Sequence, residues 1–173
     1  KLRSSNDVTK TVTIKAKQAP YNYVTNAQSK KLAEEFGSKQ GYKAKTKLVS
    51  SYAWDSTIAF LEKTKANYGN SSLGGNYSNT EFSYTDITGV QQTKASGTTI
   101  LVPTGQTTPV CNIYDMGGNL CEWTTEICTD SVCVCTDRSG DYSRKYSGYP
   151  AGGRGGTRGY SSADTGFRIT LFL

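Results

Sequence analysis

Five cysteines are the most reactive side chains of this sequence. They are Cys111, Cys121, Cys128, Cys133 and Cys135, in a chain of 173 residues that contains no histidine. Without histidine the commonest general base and zinc ligand are missing, and no Ser-His or Cys-His nucleophile can form. Cys133 and Cys135 could bind a soft metal such as Cu(I). They could instead be small buried side chains or form a local disulfide with another cysteine.

Tyrosines and arginines, interleaved with small polar residues, occupy the stretch between residues 141 and 162. Tyrosine supplies a flat ring with apolar and polar parts, and the small polar residues supply adaptable hydrogen bonds, as in antibody paratopes. We predict a ligand-binding face made of Asp141, Tyr142, Ser143, Arg144, Tyr146, Tyr149, Arg154, Thr157, Arg158, Tyr160 and Ser161. The alternative is a flexible loop over the glycine-rich residues 152–156 that binds no ligand.

The positive charge of the chain is spread rather than clustered. The net charge is +6, and most of the lysines are scattered over residues 1–65. A nucleic-acid groove needs clustered cations together with aromatic side chains, so we predict no nucleic-acid partner. No apolar stretch approaches the roughly 18–20 residues of a membrane span, which predicts no membrane insertion by this domain.

Two helices should support the predicted face. A capping box of Thr25 and Gln28 begins the first, which is expected to end at Gly37. The second is predicted over residues 51–65, where apolar residues recur at spacings of four and three from Trp54 onwards and share one face. We expect Trp54 in the core.

The sequence predicts three strands, of which the first and last lie near the two ends of the chain. Alternation of apolar or β-branched with polar side chains predicts a strand over residues 8–17, and a second is predicted over residues 98–102. Residues 66–99 should be irregular with short strands. The length favours one domain, 1–173, although residues 1–17 could be a linker or a strand of a preceding domain. A final strand is also predicted, and its alternation should place four side chains on the face that packs in the core: Phe167, Ile169, Leu171 and Leu173.

Three short motifs carry a resemblance to a known family. Residues 112–123, Asn-Ile-Tyr-Asp-Met-Gly-Gly-Asn-Leu-Cys-Glu-Trp, resemble the Asp-Met-x-Gly-Asn-x-Trp-Glu-Trp signature of the formylglycine-generating-enzyme (sulfatase-modifying factor) family. Arg-Ser-Gly-Asp-Tyr at 138–142 lies where that family has Arg-Gly-Gly-Ser-Trp, and Thr-Gly-Phe-Arg at 165–168 matches its terminal Gly-Phe-Arg. The resemblance implies an α+β, C-type-lectin-like fold: a small twisted antiparallel sheet with two helices and much irregular chain.

The catalytic residues of that family are not matched. Its aerobic enzymes use two cysteines downstream of the Arg-Gly-Gly segment to bind copper and activate oxygen, and residues 139–173 contain no cysteine. The resemblance therefore implies the fold without the enzyme and without a required cofactor. The alternative is a copper-dependent oxidase of this class that uses Cys133 and Cys135.

The resemblance also implies a structural calcium ion at residues 115–122. The ligands would be the Asp115 side chain, the Gly118 and Leu120 carbonyls and the Glu122 carboxylate, since grouped oxygen ligands suit Ca²⁺. Hydrogen bonds alone could also satisfy this turn. In the same region Gly117 and Gly118 should allow a tight turn and Trp123 should anchor the core. Arg168 is expected to hold a carboxylate, either Asp164 or Glu122.

The composition changes near residue 127. Residues 127–169 contain a single residue, Lys145, from the set Lys, Glu, Gln, Trp and Met, whereas residues 1–126 contain 13 lysines, 6 glutamates and 6 glutamines. Codons that end in a pyrimidine cannot encode these five types. The pattern resembles the variable proteins of diversity-generating retroelements, which use the same lectin-type fold and place the diversified residues before a C-terminal Gly-Phe-Arg strand.

The resemblance implies a non-catalytic, receptor- or adhesin-type ligand-binding protein. We expect its partner to be a protein or a glycan, and we expect it to be displayed on a bacterial or phage surface. The remaining alternative is a purely structural domain of a larger surface protein.

Overall fold

A computed structural model describes residues 2–70, 75–129 and 132–172. Within these ranges the chain is a mixed α+β structure with two helices, α1 (Asn26–Lys39) and α2 (Ser51–Glu62), and a 3₁₀ turn at Tyr68–Asn70. The strands of the described ranges are short: β1 (Lys45–Leu48), β2 (Gly75–Asn76), β3 (Phe82–Thr85), β4 (Gln91–Lys94), β5 (Gly117–Gly118), β6 (Cys121–Trp123), β7 (Cys135–Arg138), β8 (Arg154–Thr157), β9 (Thr165–Phe167) and β10 (Ile169–Phe172).

The largest sheet of the described chain has four strands in the order β8-β7-β6-β9. β6 pairs with β7, and β7 with β8, in antiparallel orientation, whereas β6 and β9 are parallel. The sheet is therefore mixed, and the prediction of an antiparallel sheet holds for only part of it. β1 with β10 and β3 with β4 form antiparallel pairs, and β2 with β5 forms a short parallel pair.

The first helix begins at the predicted capping box. The Thr25 hydroxyl accepts a hydrogen bond from the backbone N–H of Gln28, and the Gln28 side chain accepts one from the Thr25 N–H, which satisfies two free donors of the first turn. The helix continues past its predicted end at Gly37 to Lys39. Gly37 packs against β1, where its N–H donates to the Thr46 hydroxyl, so it is a contact residue and not the helix terminator.

The second helix confirms the predicted start and apolar face. Ser50 caps it by accepting from the N–H of Ala53, and Trp54, Ile58 and Leu61 are all buried. The helix ends at Glu62, three residues before the predicted end.

Two apolar clusters form the core, and each contains one tryptophan. Trp54 packs with the apolar face of α2 and with Met116, and its indole N–H donates to the Ala151 carbonyl at 2.9 Å. Trp123 packs with Val24 and its neighbours, and donates to the Val24 carbonyl at 2.8 Å. Because a buried indole needs an acceptor, each ring fixes one irregular segment to the regular structure.

The prediction of a strand over residues 8–17 is wrong. This segment has no ladder partner in the described chain, and Ile14 is 72% exposed. Its contacts are scattered: Val8 packs against the Trp123 cluster, and Lys17 donates its N–H to the Thr104 carbonyl. Alternating side chains favour a strand only where another strand edge supplies the hydrogen bonds.

The prediction of a strand over residues 98–102 is also wrong. Side-chain amides bind this segment in place of a neighbouring strand. Asn119 accepts from the Val102 N–H and donates to the Val102 carbonyl, each at 3.0 Å, and Asn76 donates to the Ile100 carbonyl at 2.7 Å. Side chains thus satisfy backbone groups that a ladder would otherwise pair.

The C-terminal strand is divided at Arg168. β9 belongs to the four-stranded sheet, whereas β10 leaves it and pairs with β1. Phe167 and Ile169 pack against the core as predicted, but Leu171 is 51% exposed, which corrects its assignment to the core. Ile169 lies opposite the buried Leu48 of β1, whereas Leu171 lies opposite Thr46, farther from the Trp123 cluster. Leu173 lies outside the described residues.

Candidate functional site

A cavity of about 510 Å³ opens beside the four-stranded sheet. β6, β7, β8 and β9 all contribute residues to it, and the irregular chain between β7 and β9 supplies the rest of its wall. Seven of the eleven residues predicted for the binding face line this cavity: Asp141, Arg144, Tyr149, Arg154, Thr157, Tyr160 and Ser161.

Two tyrosines at the cavity expose their rings to solvent. Tyr149 is 44% exposed and Tyr160 is 70% exposed. The Arg144 guanidinium lies over the Tyr149 ring, 4.9 Å from its centre, which is a cation–π arrangement. Large exposed rings beside a concave site provide apolar area that a ligand could cover.

Four predicted residues lie outside the cavity lining. Tyr146 packs edge-to-face against the buried Tyr77, with ring centres 6.2 Å apart, and is half-buried. Ser143 donates through its N–H and hydroxyl to Asp141. The other two, half-buried Tyr142 and exposed Arg158, also do not line it.

Three carboxylates line the cavity. Asp137, Asp141 and Asp164 all line it, together with the buried thiol of Cys121. Burial raises the pKa of Asp137, and the charges of Asp164 and Asp141 raise it further. Burial and neighbouring negative charges thus favour the protonated form of Asp137.

Gly155 makes room for the carboxylate of Asp137. The two residues are register partners on β8 and β7, and a Cβ atom on Gly155 would lie 2.3 Å from Oδ1 of Asp137. Any side chain at residue 155 would therefore displace the carboxylate. The absence of a side chain here shapes the cavity directly.

Ion pairs anchor the cavity wall to α2. The Arg138 guanidinium is 2% exposed and donates to the carboxylate of Asp55 and to the carbonyls of Gly152 and Gly153. Arg154 reaches the other oxygen of Asp55 at 2.9 Å. The Arg138 hydrogen bond holds the pKa of Asp55 below its usual value. These contacts hold the start of β8 in place.

Two of the five thiols lie where their surroundings oppose ionisation. All five cysteines are free, including the two considered for Cu(I), so no local disulfide is formed. Burial raises the pKa of Cys135 to about 11, and burial with three neighbouring aspartates raises the pKa of Cys121 well above its usual value. The thiolate is the form that binds metals and attacks substrates, so these surroundings suppress both reactions.

The residues considered for calcium make other contacts. The Asp115 carboxylate accepts hydrogen bonds from the N–H groups of Gly105 and Thr107, and both oxygens of Glu122 accept from Arg168. A guanidinium at the Glu122 carboxylate opposes a second cation there. These contacts occupy the Asp115 and Glu122 carboxylates in this arrangement, and the calcium site stays a prediction. In the described ranges no group of three or more His, Cys, Asp or Glu could hold a metal ion.

Arg168 binds Glu122, one of the two carboxylates expected as its partner, and we call this contact the C-terminal lock. Arg168 Nε and Nη2 donate to the two oxygens of Glu122 at 2.7 and 2.9 Å, and Nη2 also donates to the Asp115 carbonyl at 2.8 Å. The other expected partner, Asp164, instead accepts from the Thr165 hydroxyl and lines the cavity. Arg168 thus joins the final strands to the turn before β6.

Sequence reasoning missed Asp137 and Asp164 as cavity residues. Both lie inside the compositionally unusual stretch 127–169, and that is the one signal that could have indicated them. Neither belongs to the tyrosine-rich segment on which the prediction was based. Their proximity comes from the pairing of β7 with β6 and of β6 with β9.

Comparisons with known proteins give no match: no family model fits the chain, and neither a curated protein nor a solved structure is similar to it. Among the helices that the structure describes, none has the length and apolar character to cross a membrane. Any assignment of fold family or function therefore rests on the motifs and the geometry described above.

Proposed function

We propose that this chain is a non-catalytic ligand-binding protein whose binding face is the cavity with the exposed tyrosines Tyr149 and Tyr160. The observation that carries the proposal is the convergence of seven predicted face residues on one cavity of about 510 Å³. Concave sites with exposed aromatic rings and a few polar groups are the usual form of a binding site.

The scaffold proposed for this face is a C-type-lectin-like fold of the formylglycine-generating-enzyme type. Two helices, small sheets and much irregular chain support it, as does the position of the three motifs. The Gly-Phe-Arg segment pairs with the Glu-Trp segment through Phe167 opposite Trp123, and Arg168 binds Glu122. Motifs far apart in the chain thus meet in one structural unit.

The surroundings of the cysteines support a binding role over the copper oxidase. Copper chemistry needs thiolates, and the raised pKa of Cys135, one of the two cysteines considered for copper, opposes the formation of its thiolate. Loading reduced protein with Cu(I) and supplying a cysteine-containing sulfatase peptide tests the oxidase directly. Conversion of the peptide would overturn the non-catalytic proposal.

We further propose that residues 127–169 are diversified by a retroelement and that the face meets a protein or a glycan on a bacterial or phage surface. Sequencing the gene from many cells should reveal substitutions at exposed residues such as Tyr149 and Tyr160. Buried Arg138 should not vary. A neighbouring reverse transcriptase gene and an adenine-rich template copy are expected as well. Uniform sequences without that neighbourhood would overturn the diversification.

The binding role is tested by removing the exposed rings. Screening the protein against arrays of surface proteins and glycans should identify a partner, and Tyr149→Ala with Tyr160→Ala should weaken its binding at least about tenfold. Tyr52→Ala is the matched control, because Tyr52 is 87% exposed on α2 and does not line the cavity. Equal losses for the control and the face variants, or loss of fold in the face variants, would contradict the proposal.

A further inference from the structure

The cavity contains more carboxylates than cations to pair with them. Its two arginines already have partners: Arg154 is within ion-pair distance of Asp55 and Glu126, and Arg144 contacts Asp141. Among the described residues, no lysine or arginine forms an ion pair with Asp137 or Asp164. The cavity lining therefore carries more negative than positive side chains, and two of its carboxylates have no ion pair with a described residue.

Asp141 lines the cavity and has one carboxylate oxygen with only long contacts. The residue is only 2% exposed, and its Oδ1 is well bonded to the N–H and hydroxyl of Ser143, at 2.7 and 2.6 Å. Its Oδ2 has only the Cys121 thiol at 3.8 Å and the Arg144 Nε at 3.7 Å. A buried carboxylate oxygen gains from a closer, charged donor, because its own solvation has been lost.

The contacts of Arg144 show that a cationic group can lie beside Asp141 and Tyr149. Its guanidinium lies between the Asp141 carboxylate and the face of the Tyr149 ring, 4.9 Å from the ring centre. Half of the Arg144 side chain is exposed, and its contact with the carboxylate is long. A cation from a partner could therefore use the same combination of carboxylate and ring with better geometry.

Charge favours a basic protein side chain over a sugar as the occupant. Ionised carboxylates only accept hydrogen bonds, and their bonds to ammonium or guanidinium groups are stronger than those to neutral hydroxyls. The exposed rings of Tyr149 and Tyr160 beside the cavity suit the wide apolar contact that a protein surface makes.

We infer that the cavity binds the ammonium or guanidinium group of a lysine or arginine side chain presented by a protein partner. The inference rests on the proposed binding function and specifies the chemistry of its ligand. Asp137, Asp141 and Asp164 receive the cation, Tyr149 covers it, and Gly155 leaves the Asp137 carboxylate room to reach it.

Model compounds test this without knowledge of the partner. Amide signals of ¹⁵N-labelled protein are followed while N-acetyl-lysine amide, N-acetyl-arginine amide, the neutral N-acetyl-norleucine amide or methyl mannoside is added. The two basic compounds should shift the signals of Asp137 and of residues 153–157, and the norleucine compound should not. Equal shifts with norleucine, no shifts with the basic compounds, or larger shifts with the mannoside would overturn the inference.

Neutral substitutions separate charge from shape. The double variant Asp137→Asn, Asp164→Asn should bind the basic compounds at least about tenfold more weakly. Glu81→Gln is the matched control, because Glu81 is exposed and lies outside the cavity, and its binding should be unchanged. Unaltered binding in the double variant would overturn the inference.

The same variants distinguish this inference from the proposed function. If a partner from the array screen needs Tyr149 and Tyr160 but tolerates both aspartate substitutions, the binding role stands and the cation inference is overturned. If no partner depends on the tyrosines, the proposed face fails, while the titration with basic compounds still reports on the cavity.

Discussion

Buried charged groups of the scaffold, by which we mean the helices and strands around the core, have close hydrogen-bond partners. Two carboxylates of the cavity lining have no ion pair with a described residue. In the scaffold, Arg168 forms two hydrogen bonds with Glu122, and the buried ammonium of Lys94 donates to three carbonyls at 2.6, 2.7 and 3.1 Å. In the cavity, Asp137 and Asp164 have no ion pair with any described residue. Glu122 and Asp137 lie on adjacent strands of the four-stranded sheet, and Trp123 of the core is the register partner of Asp137.

This contrast indicates a division of roles between neighbouring residues. Removing one partner of a buried ion pair is destabilising because the other charge is left unpaired, and a carboxylate that is already unpaired and poorly solvated costs stability. We therefore expect substitutions in the scaffold to reduce stability and a neutral substitution in the cavity to increase it. Three changes test this difference in order of decreasing effect.

The largest effect is expected for Trp123→Ala. The ring is 2% exposed, packs in the second core cluster and donates to the Val24 carbonyl, so its removal leaves a cavity and an unpaired acceptor. The free energy of unfolding should fall by about 3–5 kcal/mol. Denaturant titration followed by far-ultraviolet circular dichroism measures this. The exposed Tyr52→Ala should change it by less than about 0.5 kcal/mol; similar losses would remove the distinction.

An intermediate effect is expected for Glu122→Gln. The neutral amide cannot accept both charged hydrogen bonds of Arg168, so the free energy of unfolding should fall by about 1.5–3 kcal/mol. The control is Glu35→Gln, because Glu35 pairs with Lys39 on the helix surface, where ion pairs contribute little. An equal effect of the two substitutions would show that the C-terminal lock adds nothing beyond a surface pair.

The native protein also tests the calcium prediction in this region. Because Arg168 holds both oxygens of Glu122, we expect the same melting temperature in calcium chloride and in EDTA. Ligands that bind the native state raise its melting temperature. Stabilisation by calcium alone would therefore contradict the hydrogen-bonded arrangement and support a bound ion.

The smallest effect, and the one of opposite sign, is expected for Asp137→Asn. Burial raises the pKa of Asp137 above its usual 3.8, so between 3.8 and the raised value the native state holds more protons than the unfolded chain. The contribution of this carboxyl to stability therefore falls as pH rises through that window. At neutral pH the asparagine variant should be more stable than the native protein, and below pH 3.8 the gain should vanish.

Denaturant titrations at several pH values measure that gain. The control Glu81→Gln removes an exposed charge and should leave the pH dependence unchanged. A variant that is less stable than the native protein at neutral pH would contradict the unpaired state of Asp137, and the contrast between scaffold and cavity would be lost.

Local signals in the sequence predicted part of this fold. Both helix starts were correct, since Thr25 and Gln28 act within one turn and the apolar face of α2 repeats within a few turns. The strands over residues 8–17 and 98–102 were wrong. Alternation predicts what a strand would look like but does not supply the partner that makes one.

The candidate site was predicted in composition but not in detail. The tyrosine- and arginine-rich stretch does supply most of the predicted residues that line the cavity. Tyr146 did not join them, because its ring packs against Tyr77, and Asp137 joined without being predicted. Side-chain direction depends on neighbours distant in the chain, which composition does not reveal.

The sequence by itself determined the two helices, the buried tryptophans and a segment rich in residues suited to recognition, because these depend on residue type and short spacing. Only the tertiary structure decided which of those residues share a cavity and which charges lack a partner. Asp137 and Asp164 are separated along the chain and line the same cavity because β6 lies between β7 and β9. Electrostatic energy depends on distance in space, and that distance exists only once the sheet has formed.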